Sequence, residues 1–269
     1  MRAEESAGGD HVTMADPSSA PDWMLDEVAH AGRENLDADH VARYDGKEDA
    51  GAAAEVQLLR DLGLDPSSTV VDLGAGTGQF ILAAAPHCRR AVAVDVSPVM
   101  LARLRAEVEA RGVAGVECVQ AGLLTYEHTG EPADFVYSRL ALHHLPDFWK
   151  ALALDRIRGL LRPGGVLTMT TPNYRGLWPA IERIMDRLQL APPMAEHQHV
   201  TKFDRGKLRQ VLADADWEIV RLATFSTFSP FISILSWRLA ERCAEIEDRA
   251  DLTFGNLLLV VAKRRGGDG

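Results

Sequence analysis

Val70-Val71-Asp72-Leu73-Gly74-Ala75-Gly76-Thr77-Gly78-Gln79-Phe80 decides the fold. A short apolar, β-branched stretch ends on an acidic residue, and a glycine-rich turn follows at once. That order of residues describes a buried strand delivering the chain into a loop whose backbone passes close to a ligand. A second apolar stretch, Ala91-Val92-Ala93-Val94-Asp95, ends in another carboxylate. In doubly wound α/β folds an acid about 20 residues beyond the glycine turn binds the ribose hydroxyls of a nucleoside cofactor.

The glycine spacing separates two cofactor classes. The dinucleotide fingerprint is G-x-G-x-x-G, with a helix N-terminus held against a pyrophosphate. Here the glycines are Gly74, Gly76 and Gly78, and Gln79 stands where the last glycine of that fingerprint belongs. Asp72 precedes the first glycine by two positions. A carboxylate there repels a pyrophosphate but attracts an α-amino group and a sulfonium. S-adenosyl-L-methionine carries both cations and no phosphate, so the electrostatics favour it over NAD.

The stretch Val70 to Phe80, with Asp95-Val96-Ser97-Pro98-Val99-Met100-Leu101, resembles motifs I and II of the class I S-adenosylmethionine-dependent methyltransferases. Asp134-Phe135-Val136-Tyr137 and Leu161-Arg162-Pro163-Gly164-Gly165-Val166-Leu167 resemble the fourth-strand motif and the turn before strand five of that family. The likeness covers roughly residues 65–172, and within the family the chain is most similar to quinone-biosynthesis and microbial natural-product methyltransferases. It implies a Rossmann-like, seven-stranded, doubly wound α/β sheet, mostly parallel with the last strand antiparallel. N-terminal helices and two acceptor-side insertions surround that sheet.

The resemblance also implies site residues. Asp72, Gly74, Ala75, Gly76 and Gln79 would bind the cofactor, with Gly74, Gly76 and Gly78 letting the backbone approach its methionine portion, and Asp95 would accept hydrogen bonds from the ribose diol. Val96 and Met100 would pack on the adenine, and Arg139 would offer a backbone contact. Relatives commonly place an acid after strand three to hold the adenine amine. Here Ala121-Gly122-Leu123 occupies that point, leaving Gly122 and Leu123 to contribute backbone groups. Tyr44, ahead of Lys47, resembles a tyrosine that closes over the methionine end in some relatives.

Composition fits an ordinary enzyme. A chain of 269 residues can bury a sizeable core. The first residues lack the charged-then-apolar pattern of a signal peptide, and no apolar run reaches the ~18 residues a membrane span needs. Cys88, Cys118 and Cys243 are scattered with no C-x-x-C, which predicts reduced thiols and a cytoplasmic location. The net charge of −10 argues against a nucleic-acid partner. Oligomeric state is open.

Along the chain, residues 1–20 are expected to form a disordered tail, and the methyltransferase domain runs over 21–269. Helices are expected over 22–31 and 48–61, with Gly63 ending the second. Strands fall at 69–73, 91–95, 116–120, 134–138, 166–171, 218–224 and 257–262. Ser97-Pro98 starts a helix that Gly112 closes, and Asp147 caps another through Leu160. A further helix covers 207–213. Residues 173–204 and 225–253 exceed the minimal fold, and insertions of that length are commonly functional. In the second, Ile232, Leu235, Leu239, Cys243 and Ile246 keep helical spacing. A helix packed on the core, a lid and a peripheral membrane contact are its three readings. Trp178 with Phe225, Phe228, Phe231 and Trp237 places the acceptor pocket there.

Methyl transfer from a sulfonium is an in-line displacement. It needs alignment at about 3 Å, a dry pocket, and a base when the acceptor is a hydroxyl. His143 and His144 follow strand four, at the carboxyl edge of the sheet, and are the first candidates for that base. The alternative reading is a histidine bonded near the next helix N-terminus. His199, in a segment similar to an H-x-x-x-F stretch roofing the acceptor pocket, is the second. His197 and His199 lack the three or four ligands of a zinc site, so no metal is expected. The sequence thus predicts a methyltransferase acting on a small or medium apolar acceptor, with oxygen favoured over carbon or nitrogen. A methyltransferase-like binding subunit without turnover and an NAD(P)-dependent oxidoreductase are the alternatives.

Overall fold

Thr69–Leu73 forms strand β1, and all five residues are buried. A strand with both faces covered has no polar side to show, and Val-Val answers that demand. Successive side chains alternate between the two layers. Val71 and Leu73 join a cluster with Ala153, Leu154 and Ile157, while Val70 joins Val56, Leu59 and Ile81 on the opposite face.

The computed structural model describes residues 51–176, 203–228 and 254–266 without a break. It adds 21, 23–31, 35–38 and 41 before them, and scattered positions between 179 and 247. In chain order the elements are α1 (Glu27–His30), α2 (Gly51–Asp61), β1, α3 (Gln79–Ala84), β2 (Arg90–Asp95), α4 (Pro98–Arg111), β3 (Val116–Gln120) and β4 (Ala133–Arg139). They continue with α5 (Asp147–Leu160), β5 (Leu161–Pro172), α6 (Arg205–Asp214), β6 (Trp217–Phe225) and β7 (Leu257–Arg264). The sheet order is β3-β2-β1-β4-β5-β7-β6. The first five strands in that order pair in parallel, and β7 runs antiparallel to both β5 and β6. This is the doubly wound, seven-stranded sheet the motifs imply. Its order reverses between β1 and β4, where Val70 stands beside Phe135, and such a switch point opens a crevice at the carboxyl ends of the strands.

Local signals place most elements. Ser97 caps α4, its hydroxyl accepting from Met100 N at 3.1 Å with Pro98 at the first helical position, and Gly112 closes the helix at φ 61°. Leu101 and Leu104 are fully buried beneath it, with Val108 partly buried against the same cluster. Three expectations need correction. The first helix is one turn over Glu27–His30 rather than 22–31, because Asp26 accepts from Val28 N and Ala29 N and starts it late. Asp147 is the first residue of α5, whose cap position is Pro146 with no side-chain bond. Strand five begins at Leu161 rather than Val166: Ala133 pairs with Leu161, and a bulge precedes the Phe135–Val166 pair. Asp134 holds that irregularity together, accepting from Arg162 Nε at 2.5 Å and from Thr69 N at 2.8 Å.

Residues 1–20, and most of 177–202 and 229–253, lie outside the described residues, so the tail and the two insertions are expectations from sequence alone. Among the described residues no helix is long and apolar enough to cross a membrane. Cys88, Cys118 and Cys243 are free thiols.

Candidate active site

At the switch point lies a cleft of about 350 Å³. The loop after β1 forms its floor. Gly74 N and Ala75 N both donate to Val94 O, at 2.8 and 3.0 Å, which binds the turn to the end of β2. Gly74 takes φ 80°, and a Cβ there would fall 2.4 Å from the Ala141 side chain. Gly78 takes φ 86°, and its Cβ would strike Leu104 at 2.1 Å. Only glycine satisfies both the left-handed backbone and the close approach at these two positions.

Asp95 ends β2 and lines the cleft. One carboxylate oxygen accepts from Gly76 N and the other from Ser97 N, each at 2.8 Å. Two backbone donors fix the plane of the group and leave further lone pairs for a ligand. Burial pushes its pKa up, and the bonds from Ser97, Gly76 and Val96 oppose that shift. Asp72 sits beneath the loop, 2% exposed, rather than in the cleft wall. Its Oδ2 is buried with no hydrogen-bond partner among the described residues. Burial above all, then Glu55 and Asp95, holds this carboxyl well above the usual range, with Arg139 opposing.

Gly74, Gly76, Val96, Met100, Gly122 and Leu123 line the cleft as the sequence predicts, and so does Arg139. Arg139 lies 3.7 Å from Glu55 of α2. Ala75 and Gln79 do not line it: Ala75 packs against the cluster under α3, and Gln79 opens that helix. Tyr44, Trp178 and His199 lie outside the described residues. His143 and His144 occupy a short turn, Leu142–His144, and both face the cleft. Their rings are 4.0 Å apart, and His143 is buried. Leu140, Ala141, Leu145 and Pro172 surround them with apolar wall, Leu140 at a positive φ of 50°. Among the described residues no cluster of His, Cys, Asp or Glu could hold a metal.

Sequence reasoning missed one wall. Glu27, His30, Ala31 and Asn35 line the cleft from the N-terminal segment. Ser97 Oγ donates to Asn35 O at 2.6 Å, tying that segment to the loop after β2. These residues form no motif, and their neighbours in space are some 60–100 positions away in the chain. The one available signal was Gly122, a residue without a side chain where an acid was expected.

The cleft therefore has a glycine floor, an oriented carboxylate at the end of β2, an orphaned buried carboxylate oxygen beneath the loop, and a half-buried histidine pair in an apolar wall. A ligand carrying cations and a diol fits that set of groups. The comparisons agree. The profile of a family described as a methyltransferase domain matches residues 44–222. An uncharacterized methyltransferase of Mycobacterium tuberculosis is 34% identical over 113 residues, 40% of this chain and 55% of its own length. A trans-aconitate 2-methyltransferase of Methylobacterium radiotolerans is 31% identical over 156 residues, 57% of this chain and 56% of its own length. The chain thus spans about half the length of these curated relatives. The crystal structure of an S-adenosylmethionine-dependent methyltransferase from Mesorhizobium loti superposes with a TM-score of 0.58 at 25% identity. That match covers 80% of this chain and 99% of the other.

Proposed function

The chain belongs to the class I S-adenosylmethionine-dependent methyltransferase family, and from that premise we propose that it transfers a methyl group to oxygen of a small or medium apolar acceptor. The observation that carries the cofactor half is Asp95, oriented by two backbone donors at the rim of the cleft. In this reading Asp95 would accept from the ribose diol, Val96 and Met100 would pack on the purine face, and Gly74 and Gly76 would bring backbone to the methionine end. Asp72, beneath the loop, would ionise as the amino group and the sulfonium bring positive charge near it, and the low-dielectric interior would strengthen that attraction. By the family likeness, Tyr44 would close over that end.

Bound S-adenosylmethionine supplies an electrophilic methyl on its sulfonium. The chain's own residues hold the acceptor in line, exclude water and take up a proton. Leu140, Leu145 and Pro172 give the apolar wall that excludes water. His143 or His144 takes the hydroxyl proton, with His199 as the second candidate. The apolar setting of the histidine pair supports an uncharged acceptor, and two imidazoles in the cleft wall, able to take up a proton, support a hydroxyl oxygen. The dinucleotide alternative falls with the family assignment.

Calorimetric titration with S-adenosylmethionine and, separately, NADH tests the cofactor half. Micromolar binding of the first alone is expected, and Asp95→Ala should weaken it at least 10-fold, the loss of charge-assisted bonds to a diol. Unchanged affinity in Asp95→Ala would remove the ribose from this carboxylate. Turnover on phenol, quinone and polyketide hydroxyls, followed with His143→Ala and His144→Ala separately, tests the acceptor half. Binding with no turnover on any acceptor would bring the non-catalytic binding subunit to the front.

A further inference from the structure

We propose that Glu27, carried on the N-terminal turn α1, is the residue that reads the exocyclic amine of the cofactor's purine, replacing from another part of the chain a carboxylate that the end of β3 lacks. The inference rests on the placement of the purine against Val96 and Met100 given above. Glu27 lines the cleft while being only 7% exposed. A buried carboxylate must be held by donors, and this one is. Leu124 N lies 3.1 Å from each of its oxygens, and Thr125 Oγ1 donates to Oε2 at 3.2 Å.

Those contacts pin the carboxylate directly over Gly122. A Cβ on Gly122 would fall 2.1 Å from Glu27 Oε2 and 2.4 Å from Oε1. The missing side chain after β3 and the carboxylate from α1 therefore occupy one space. Gly122 and Leu123 share the cleft with Val96 and Met100, so this is its purine end. The Asn35–Ser97 bond holds the same segment down on the neighbouring loop.

Elimination identifies what Glu27 would bind. A base attached through its ring nitrogen to ribose keeps one donor group, its exocyclic amine. The ribose hydroxyls belong to Asp95, and the α-amino group belongs to the opposite end, at Gly74. A carboxylate at the purine end thus meets the amine and no other donor of the cofactor. Replacing that amine by hydrogen removes the bond and leaves the carboxylate without a donor on the base.

The test compares S-adenosylhomocysteine with its purine riboside counterpart, in which hydrogen replaces the amine, by calorimetry on the full chain at pH 8. The wild type should prefer the adenosine form at least 10-fold, the scale of one charge-assisted hydrogen bond. Glu27→Gln, whose neutral amide makes only a weaker bond to the amine, should bring the two affinities within about 3-fold of each other. Gly122→Ala provides a second route. Its methyl would fall 2.1 Å from Glu27 Oε2 and so displaces the carboxylate from Leu124 and Thr125, and it should abolish the preference as well. A purely structural role for Glu27 would weaken both ligands equally and leave the ratio intact, which overturns the inference while the cleft assignment stands. Equal affinities in the wild type also overturn it. Binding of neither ligand by the wild type would instead overturn the cleft assignment on which it rests.

Discussion

Asp72 shows how a single residue can be costly for the fold and, under the proposed function, useful to the site. Its carboxyl is buried, one oxygen lacks a partner among the described residues, and Glu55 and Asp95 add like charge. The folded chain therefore holds this proton more tightly than the unfolded chain does. The stability it contributes is fully present below the ordinary carboxylate pKa and is lost as pH rises through the raised one. Asp72→Asn should accordingly stabilise the ligand-free protein by about 1–3 kcal/mol at pH 8, and by less at pH 4, in chemical denaturation. The same change should weaken S-adenosylmethionine binding at least 10-fold, because a partner for its cations disappears. Asp72, Asp95 and the glycines were legible because a strand end and its turn lie in one short stretch of sequence. Glu27 was not, because its partner Leu124 stands 97 positions away and no local pattern marks the pairing.

Among the elements, α5 carries an anomaly of its own. Lys150 lies in its first turn with 1% exposure, its Nζ 5.0 Å from the centre of the Phe203 ring and without a hydrogen bond among the described residues. The ring face repays part of the cost of burying a cation. Burial lowers the pKa from 10.5 to about 8, with Asp147 opposing. The unfolded chain thus binds more protons than the folded one between those values, and stability should rise with pH across that window. Lys150→Met should raise stability at pH 7 by about 1–3 kcal/mol and flatten that rise, which urea titrations at pH 7 and 10 will show. Helix and strand positions were largely readable from caps and apolar runs: β1 and β3 match residue for residue, and α4 starts and stops at Ser97 and Gly112. The early start of β5 was not readable. It depends on Ala133 pairing with Leu161 and on the Asp134–Arg162 ion pair, both of which exist only once two strands meet.

At the scale of the whole molecule, the cleft joins parts of the chain that sequence order keeps apart: the N-terminal segment, the ends of β1 to β4, and the turn holding the histidine pair. A ligand filling it should stabilise all of them together. S-adenosylhomocysteine at 100 times its dissociation constant should add about 2.7 kcal/mol, or roughly 5–10 °C in melting temperature for a chain of this size. A thermal scan reads this directly, and no shift would mean that the folded chain does not bind the ligand. The fold class was legible because four motifs arrive in the order a doubly wound sheet requires. The masking of the N-terminal wall by distance in sequence was the main loss. The last strand in the chain, β7, is not the last in the sheet, for it lies between β5 and β6. As the protein is synthesised, β6 emerges with no neighbour to pair with, and β5 presents an open edge until residues 257–264 leave the ribosome. The C-terminal strand is thus a keystone set after the arch around it, and the nascent chain must wait for it with two strand edges exposed.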